Sequence, residues 1–178
     1  AIHQEGQRAR AAVESARSQV ATTLQVRPEY ITWTSGGTEG NNIAIIGSIE
    51  ALEQSGRSYD SMTIITTKIE HPSVGEAVVA LERRGCTVRY VQVTETGKID
   101  LVHLQELLDE SVVLITTALI NSEIGTLQSA HAIAKTIRQA EERCGTKILF
   151  HLDAAQAPLW VKCQFDGLKA DLVTFDAA

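Results

Sequence analysis

No window of this 178-residue chain comes near the roughly 18 consecutive apolar residues that a membrane-spanning helix needs. The opening stretch AIHQEGQRARAAVESARSQVA is an amphipathic, charged helix without the apolar block of a signal peptide, so the chain reads as cytosolic, with no membrane partner. Basic clusters are missing as well. Sixteen Lys and Arg against 22 Asp and Glu leave a formal charge of −6. Because contact with a phosphate backbone needs concentrated cations, nucleic acid is set aside and a small-molecule partner is favoured. Cys86, Cys144 and Cys163 are odd in number, far apart and never in a CxxC pair. They support neither a disulfide framework nor a metal site, and each reads as a small buried hydrophobe. Only three prolines interrupt the chain, and no repeat or low-complexity stretch divides it, so one domain fits.

What is present is an alternation of helical and strand periods in a chain that is 44% hydrophobic and 21% charged. Ile2, Ala9, Val13, Ala16, Val20 and Leu24 mark one face of a first helix, which must end near Arg27 because Pro28 disfavours helical geometry before it. YITWT after it reads as a strand. A second helix is expected from about Thr38 to Gln54, stopping at Gly56, followed by a strand MTIITT at 62–67. Val74, Ala77, Val78 and Leu81 carry the spacing of a third helix closed by Gly85, and TVRYVQV at 87–93 is the next strand. Asp100 reads as the N-cap of a short helix with Leu101, Leu104, Leu107 and Leu108 inside. VVLITTAL at 112–119 is apolar on both faces, as an interior parallel strand requires. Ala130, Ile133, Ala134 and Ile137 open a further helix closed around Gly145, before strands KILFHLDA at 147–154 and ADLVTF. The sum is an α/β fold, three-layer, with a mostly parallel sheet of six strands flanked by helices. In such folds ligands gather at the loops leaving the carboxyl ends of the strands.

Those loops carry chemistry. SGGTEGNN at 35–42 brings two glycines and Thr38 to the junction of a strand and a helix, the outline of a phosphate cradle. It is neither the dinucleotide fingerprint nor a P-loop, and on its own a tight turn capped by Thr38 explains it as well. KIEHPSV at 68–74 presents His71 just before Pro72. A turn role is the commoner fate of such a histidine, and its place at the same edge as the glycine loop adds weight to a functional one. Lys68 is a further candidate against the plainer reading of a solvated lysine. NSEIGTLQ at 121–128 offers Asn121 as an amide for a ligand oxygen and Glu123 as a structural group bonding a neighbouring loop. ILFHLDAAQ ends in Asp153, with Gln156 three residues on. A carboxylate in that apolar setting needs a cationic partner such as a ligand supplies, although pairing with a neighbouring arginine or a backbone turn is its commoner fate. A phosphate cradle, a carboxylate for a cationic ring nitrogen, two amides for a ring oxygen and an imidazole able to lie over a ring are together what pyridoxal 5'-phosphate requires. A lysine to hold the aldehyde is missing from the set, since none of Lys68, Lys98, Lys135, Lys147, Lys162 or Lys169 stands at a suitable place.

TSGGTEGNN, IEHPSV, NSEIGTLQ and HLDAAQ, followed by ADLVTF, occur in an order that resembles the class V aminotransferases, and among them the cysteine desulfurases, in register from about residue 10 to 178. The resemblance implies that Gly37 and Thr38 contact the cofactor phosphate, that His71 stacks on the pyridine ring with a part in catalysis, that Asp153 pairs with the ring nitrogen, and that Asn121 and Gln156 address the ring oxygen. It further implies pyridoxal phosphate as cofactor, L-cysteine or a similar amino acid as substrate, alanine as product with sulfur passed on as a persulfide, a homodimer, and a sulfur-acceptor protein. In the family the last strand runs into a Ser-x-His-Lys segment. Asp176 stands where the serine is usual, and Ala178 where the histidine is. The chain is therefore expected to be a cofactor-binding large domain incomplete at both ends, without the C-terminal small domain, and inactive as it stands. The departures keep two other readings open: another class V enzyme, such as a selenocysteine lyase or an aminotransferase, or a non-catalytic scaffold.

Overall fold

The structure, a computed structural model, describes residues 3–176. Its centre is one sheet of five parallel strands, β1 (Thr63–Thr66), β2 (Thr87–Tyr90), β3 (Val112–Ala118), β4 (Leu149–Asp153) and β5 (Leu172–Thr174), in the order β2-β1-β3-β4-β5. β1 is buried throughout, and β3 in all but its last residue. This is the pattern of strands covered on both faces.

Successive residues of these strands point to opposite sides and seed two cores. Ile64 and Leu114 join Ile45, Ile49, Val74, Val78 and Leu81 beneath helices α3 (Ser48–Gln54) and α4 (Pro72–Arg83). Ile65, Ile115, Phe150 and Leu152 meet Leu104, Ile133 and Ile137 from α5 (Leu101–Leu107) and α6 (Ala130–Cys144) on the other side. The predicted three layers are therefore present, and the predicted apolar stripes of α4 and α6 are buried, while in α5 Leu104 is buried and Leu101 and Leu107 are half-buried. Asp100 caps α5 as expected, its Oδ1 accepting from the N–H groups of Val102 (2.9 Å) and His103 (3.2 Å). Gly145, at φ 69°, closes α6 in the left-handed conformation that glycine adopts most readily.

The sequence-based expectation fails at the N-terminal end. YITWT forms no strand: Pro28–Tyr30 is a single 3-10 turn and residues 31–34 are irregular. The side chains favour a strand, but among the described residues no strand lies beside them to complete a ladder, so the sheet has five strands rather than six. Helix α1 (Gln4–Leu24) ends at Gln25, short of Arg27, and of its expected inner face Ala9, Val13 and Ala16 are exposed while Val20 and Leu24 are half-buried. Ile2 lies outside the described residues. TVRYVQV is a strand only through Tyr90, and the last strand shrinks to Leu172–Thr174. Of the cysteines only Cys86 is buried; Cys144 and Cys163 are half-exposed, and all three are free thiols. A short helix α7 (Phe165–Leu168) was not foreseen.

Between α2 (Gly37–Asn42) and α3 the helix does not break but widens into a π-turn over Ile43–Gly47. The expected span from Thr38 to Gln54 is thus one helical rod with an extra residue accommodated near its start. Such bulges concentrate at functional sites because they re-aim the first turn without ending the helix.

Candidate active site at the strand ends

β1 reaches β2 through α4 on one face, and β2 returns to β3 through α5 on the other, so the direction of winding reverses between β1 and β3. The crevice beyond the carboxyl ends at that reversal is where open α/β sheets bind ligands. Here it is a cleft of about 110 Å³ whose walls include Gly37, Thr38, His71, Asn121, Asp153 and Gln156. All six site residues expected from the sequence meet in this one place, although they come from four separate segments of chain. None of the six lysines lines it.

Asp153 closes β4 and is buried. Its Oδ2 accepts a hydrogen bond from Asn41 Nδ2 at 2.8 Å and its Oδ1 one from Ala155 N–H at 3.0 Å. Among the described residues no arginine pairs with it, whereas the Ala155 N–H bond is the backbone-turn pairing that the sequence reading also allowed. Asn41, on the first turns of the helical rod, also donates to Ser73 Oγ at 2.9 Å, and its own Oδ1 is buried with no partner among the described residues. A buried acceptor left unmet is costly unless a ligand donor satisfies it. His71 is both a turn residue and a cleft residue: its Nδ1 accepts from Ser73 N–H at 3.2 Å, capping α4, and lies 2.8 Å from Ser73 Oγ.

Asn121 is buried and heavily used by its own loop. Its Oδ1 accepts from Glu123 N–H (2.9 Å) and Ile124 N–H (3.0 Å), and its Nδ2 donates to Ile69 O at 2.7 Å, which leaves one amide hydrogen for a ligand. Gln156 is exposed at the rim. The loop-bridging role expected of Glu123 belongs instead to Glu70, which sequence reasoning passed over. Glu70 Oε1 accepts from Thr67 Oγ1 (2.6 Å) and Thr117 Oγ1 (3.0 Å), while Oε2 accepts from Ala118 N–H (2.6 Å), tying the turn after β1 to the end of β3. Burial pushes the Glu70 carboxyl above the ordinary glutamate value, against the pull of these donors. Its position beside His71 was the one available hint. Lys68 is exposed, with its ammonium 5.7 Å from the centre of the Tyr90 ring.

The glycine loop comes close to β5. A Cβ on Gly40 would stand 2.8 Å from Thr174 Cγ2, so only glycine allows this approach. Gly36 rather than Thr38 precedes the first helical residue, and the helix start is held by Glu39, whose Oε2 accepts from Ser35 N–H at 2.5 Å. That bond lowers the Glu39 carboxyl from its usual range. Gly37 N–H, one of the amides a phosphate would use, is directed at the Asp176 carboxylate, with Oδ2 at 3.4 Å. Ala178, the second departure from the family pattern, lies outside the described residues. For pyridoxal phosphate, the ring end of the cleft fits: it holds a buried carboxylate, an unmet amide oxygen and an imidazole. At the phosphate end an anion of the chain's own stands beside the amide.

Fold and site together define an α/β domain with a polar ligand cleft at a topological switch point. The chain belongs to the aminotransferase class-V family, whose sequence model matches residues 1–177, and members of this family generally depend on pyridoxal phosphate. A cysteine desulfurase IscS of Pseudomonas fluorescens (strain Pf0-1) is 37% identical over 175 residues, which is 98% of this chain and 41% of that protein. The IscS of Pseudomonas aeruginosa (strain LESB58) is 38% identical over the same shares. Among solved structures, a NifS-like protein superposes with a TM-score of 0.88 at 31% identity, covering 99% of this chain and 46% of that one. A structure described as SspA in complex with cysteine gives 0.85 at 30% identity, covering 99% and 48%. The chain thus spans less than half the length of the relatives it matches.

Proposed function

We propose that this chain is the cofactor-binding large domain of a pyridoxal-phosphate-dependent cysteine desulfurase-like enzyme, which takes sulfur from L-cysteine, leaves L-alanine and hands the sulfur to an acceptor protein as a persulfide. The observation that carries the reading is the meeting of Gly37, Thr38, His71, Asn121, Asp153 and Gln156 in one cleft at the switch point. The two Pseudomonas relatives named above are cysteine desulfurases, which supports the same reading. The cofactor supplies an electron sink and a carbonyl for the substrate amine. Around it, Asp153 would hold a protonated ring nitrogen, Asn121 and Gln156 a ring oxygen, Gly37 and Thr38 the phosphate, and His71 would face the ring and handle protons. We place the lysine that bonds the aldehyde directly after Ala178, the persulfide-forming cysteine in a separate small domain, and the working protein in the cytoplasm as a homodimer.

The test uses the full-length protein with pyridoxal phosphate, L-cysteine and a dithiol reductant, which reduces the persulfide to sulfide and is itself oxidised to a disulfide. Sulfide and alanine in equal amounts are expected. A keto acid would assign it to transamination, alanine from selenocysteine alone to a lyase of that substrate, and failure to bind the cofactor at all to a scaffold. Each of these outcomes replaces the desulfurase reading.

A further inference from the structure

Asn41 and Ser73 are unassigned by anything above, yet every polar hydrogen they carry in their side chains has a place. The amide of Asn41 must face Asp153 with its NH2 group, because a carboxylate only accepts. One of its hydrogens then goes to Asp153 Oδ2 (2.8 Å) and the other to Ser73 Oγ (2.9 Å). Ser73 Oγ, accepting from Asn41, has its own hydrogen to give, and His71 Nδ1 lies 2.8 Å away. The Ser73 backbone N–H donates to the same nitrogen at 3.2 Å. Two donors converging on Nδ1 require it to be unprotonated, so the ring hydrogen sits on Nε2. Asn41 is 1% exposed and Ser73 9%, so water does not compete for these bonds.

We propose that Asn41 and Ser73 are positioning residues that join the Asp153 carboxylate to the His71 imidazole in one directed hydrogen-bond chain and thereby fix the imidazole as the Nε2–H tautomer. Among the described residues Nε2–H has no partner, so the tautomer presents a donor to whatever occupies the cleft. Its functional meaning, that the two groups facing a cofactor ring are set as a unit, rests on the reading proposed above. The hydrogen-bond chain itself does not.

Nitrogen NMR on the full-length protein, labelled at histidine and free of cofactor, reads the tautomer directly. The His71 Nδ1 signal is expected in the unprotonated, pyridine-like range. Asn41→Ala frees the Ser73 hydroxyl to accept from the ring, and Ser73→Ala removes that donor. Each should move the tautomer ratio about fivefold toward Nδ1–H, the size of one neutral hydrogen bond. Ser73→Thr keeps the hydroxyl and should restore the original ratio. Unchanged signals of His3, His103, His131 and His151 would show the fold intact. An unmoved His71 Nδ1 signal in either alanine variant overturns the inference, as does a folded threonine variant that behaves like alanine. Titration with pyridoxal phosphate separates the two claims: failure of wild type to bind it removes the functional reading and leaves the tautomer result standing, while binding with an unresponsive tautomer removes this inference alone.

Discussion

His151 is wholly buried where β3, β4 and β5 meet, with Thr116 Oγ1 2.8 Å from Nδ1 and Thr174 Oγ1 3.0 Å from Nε2. Burial lowers its pKa from 6.5 to about 3. The unfolded chain therefore takes up a proton near pH 6.5 that the folded chain refuses until about pH 3, and stability falls as pH drops through that window, by about 1.4 kcal/mol per unit. Glu70 acts in the opposite sense. Its carboxyl is raised, so its contribution is full below the unfolded value of 4.5 and is lost as pH rises through the folded one. The histidine contribution is isolated by difference: between pH 6.5 and 5, urea unfolding should show wild type losing about 2 kcal/mol more than His151→Gln. Asp176 governs the other end of the cleft. With its carboxylate on the Gly37 amide, an incoming phosphate meets a like charge. Asp176→Ser should tighten pyridoxal phosphate binding about tenfold and leave that of pyridoxal, which lacks the phosphate, unchanged, as read by absorbance titration. Asp153→Asn should instead weaken both ligands alike.

Helix α4 was legible because Val74, Ala77, Val78 and Leu81 repeat at helical spacing and all four are buried. Helix α1 shows the limit of that logic. Its apolar positions repeat too, but Val13 is 47% exposed because its register says what could be buried, not what lies opposite. YITWT failed for the same kind of reason: β-prone side chains are a local property, a ladder is not. The π-turn at Ile43–Gly47 left no trace in composition, since one extra residue per turn is decided by how the rod seats on the sheet. Gly40 is where that seating is tightest. Gly40→Ala should push the rod from β5 and destabilise the fold by about 1–3 kcal/mol in denaturant unfolding, the usual cost of overpacking.

As a whole the molecule follows from an alternation of elements that a parallel, doubly covered sheet satisfies, and the rule that ligands gather beyond the carboxyl ends of its strands pointed to the cleft before any distance was known. What the sequence could not disclose was the division of labour inside it. Asn121 is spent largely on its own loop, and the bridging carboxylate is Glu70 rather than Glu123, because hydrogen-bond partners between segments 48 residues apart depend on the fold. A ligand that binds only the folded form should stabilise it by about 2.7 kcal/mol at one hundred times its dissociation constant, so pyridoxal phosphate should raise the unfolding midpoint of the full-length protein. Glu70 also sets the mechanics of the cleft. Through Thr117 Oγ1 and Ala118 N–H it clamps the turn after β1 onto the end of β3, and it holds the Ala118 amide at 2.6 Å from a buried carboxylate, against 3.4 Å for Gly37 N–H to Asp176 and 3.0 Å for Ala155 N–H to Asp153. Hydrogen exchange reads such asymmetry directly. The Ala118 amide should exchange far more slowly than those of Gly37 and Ala155, and equal rates would mean that these bonds do not set local opening.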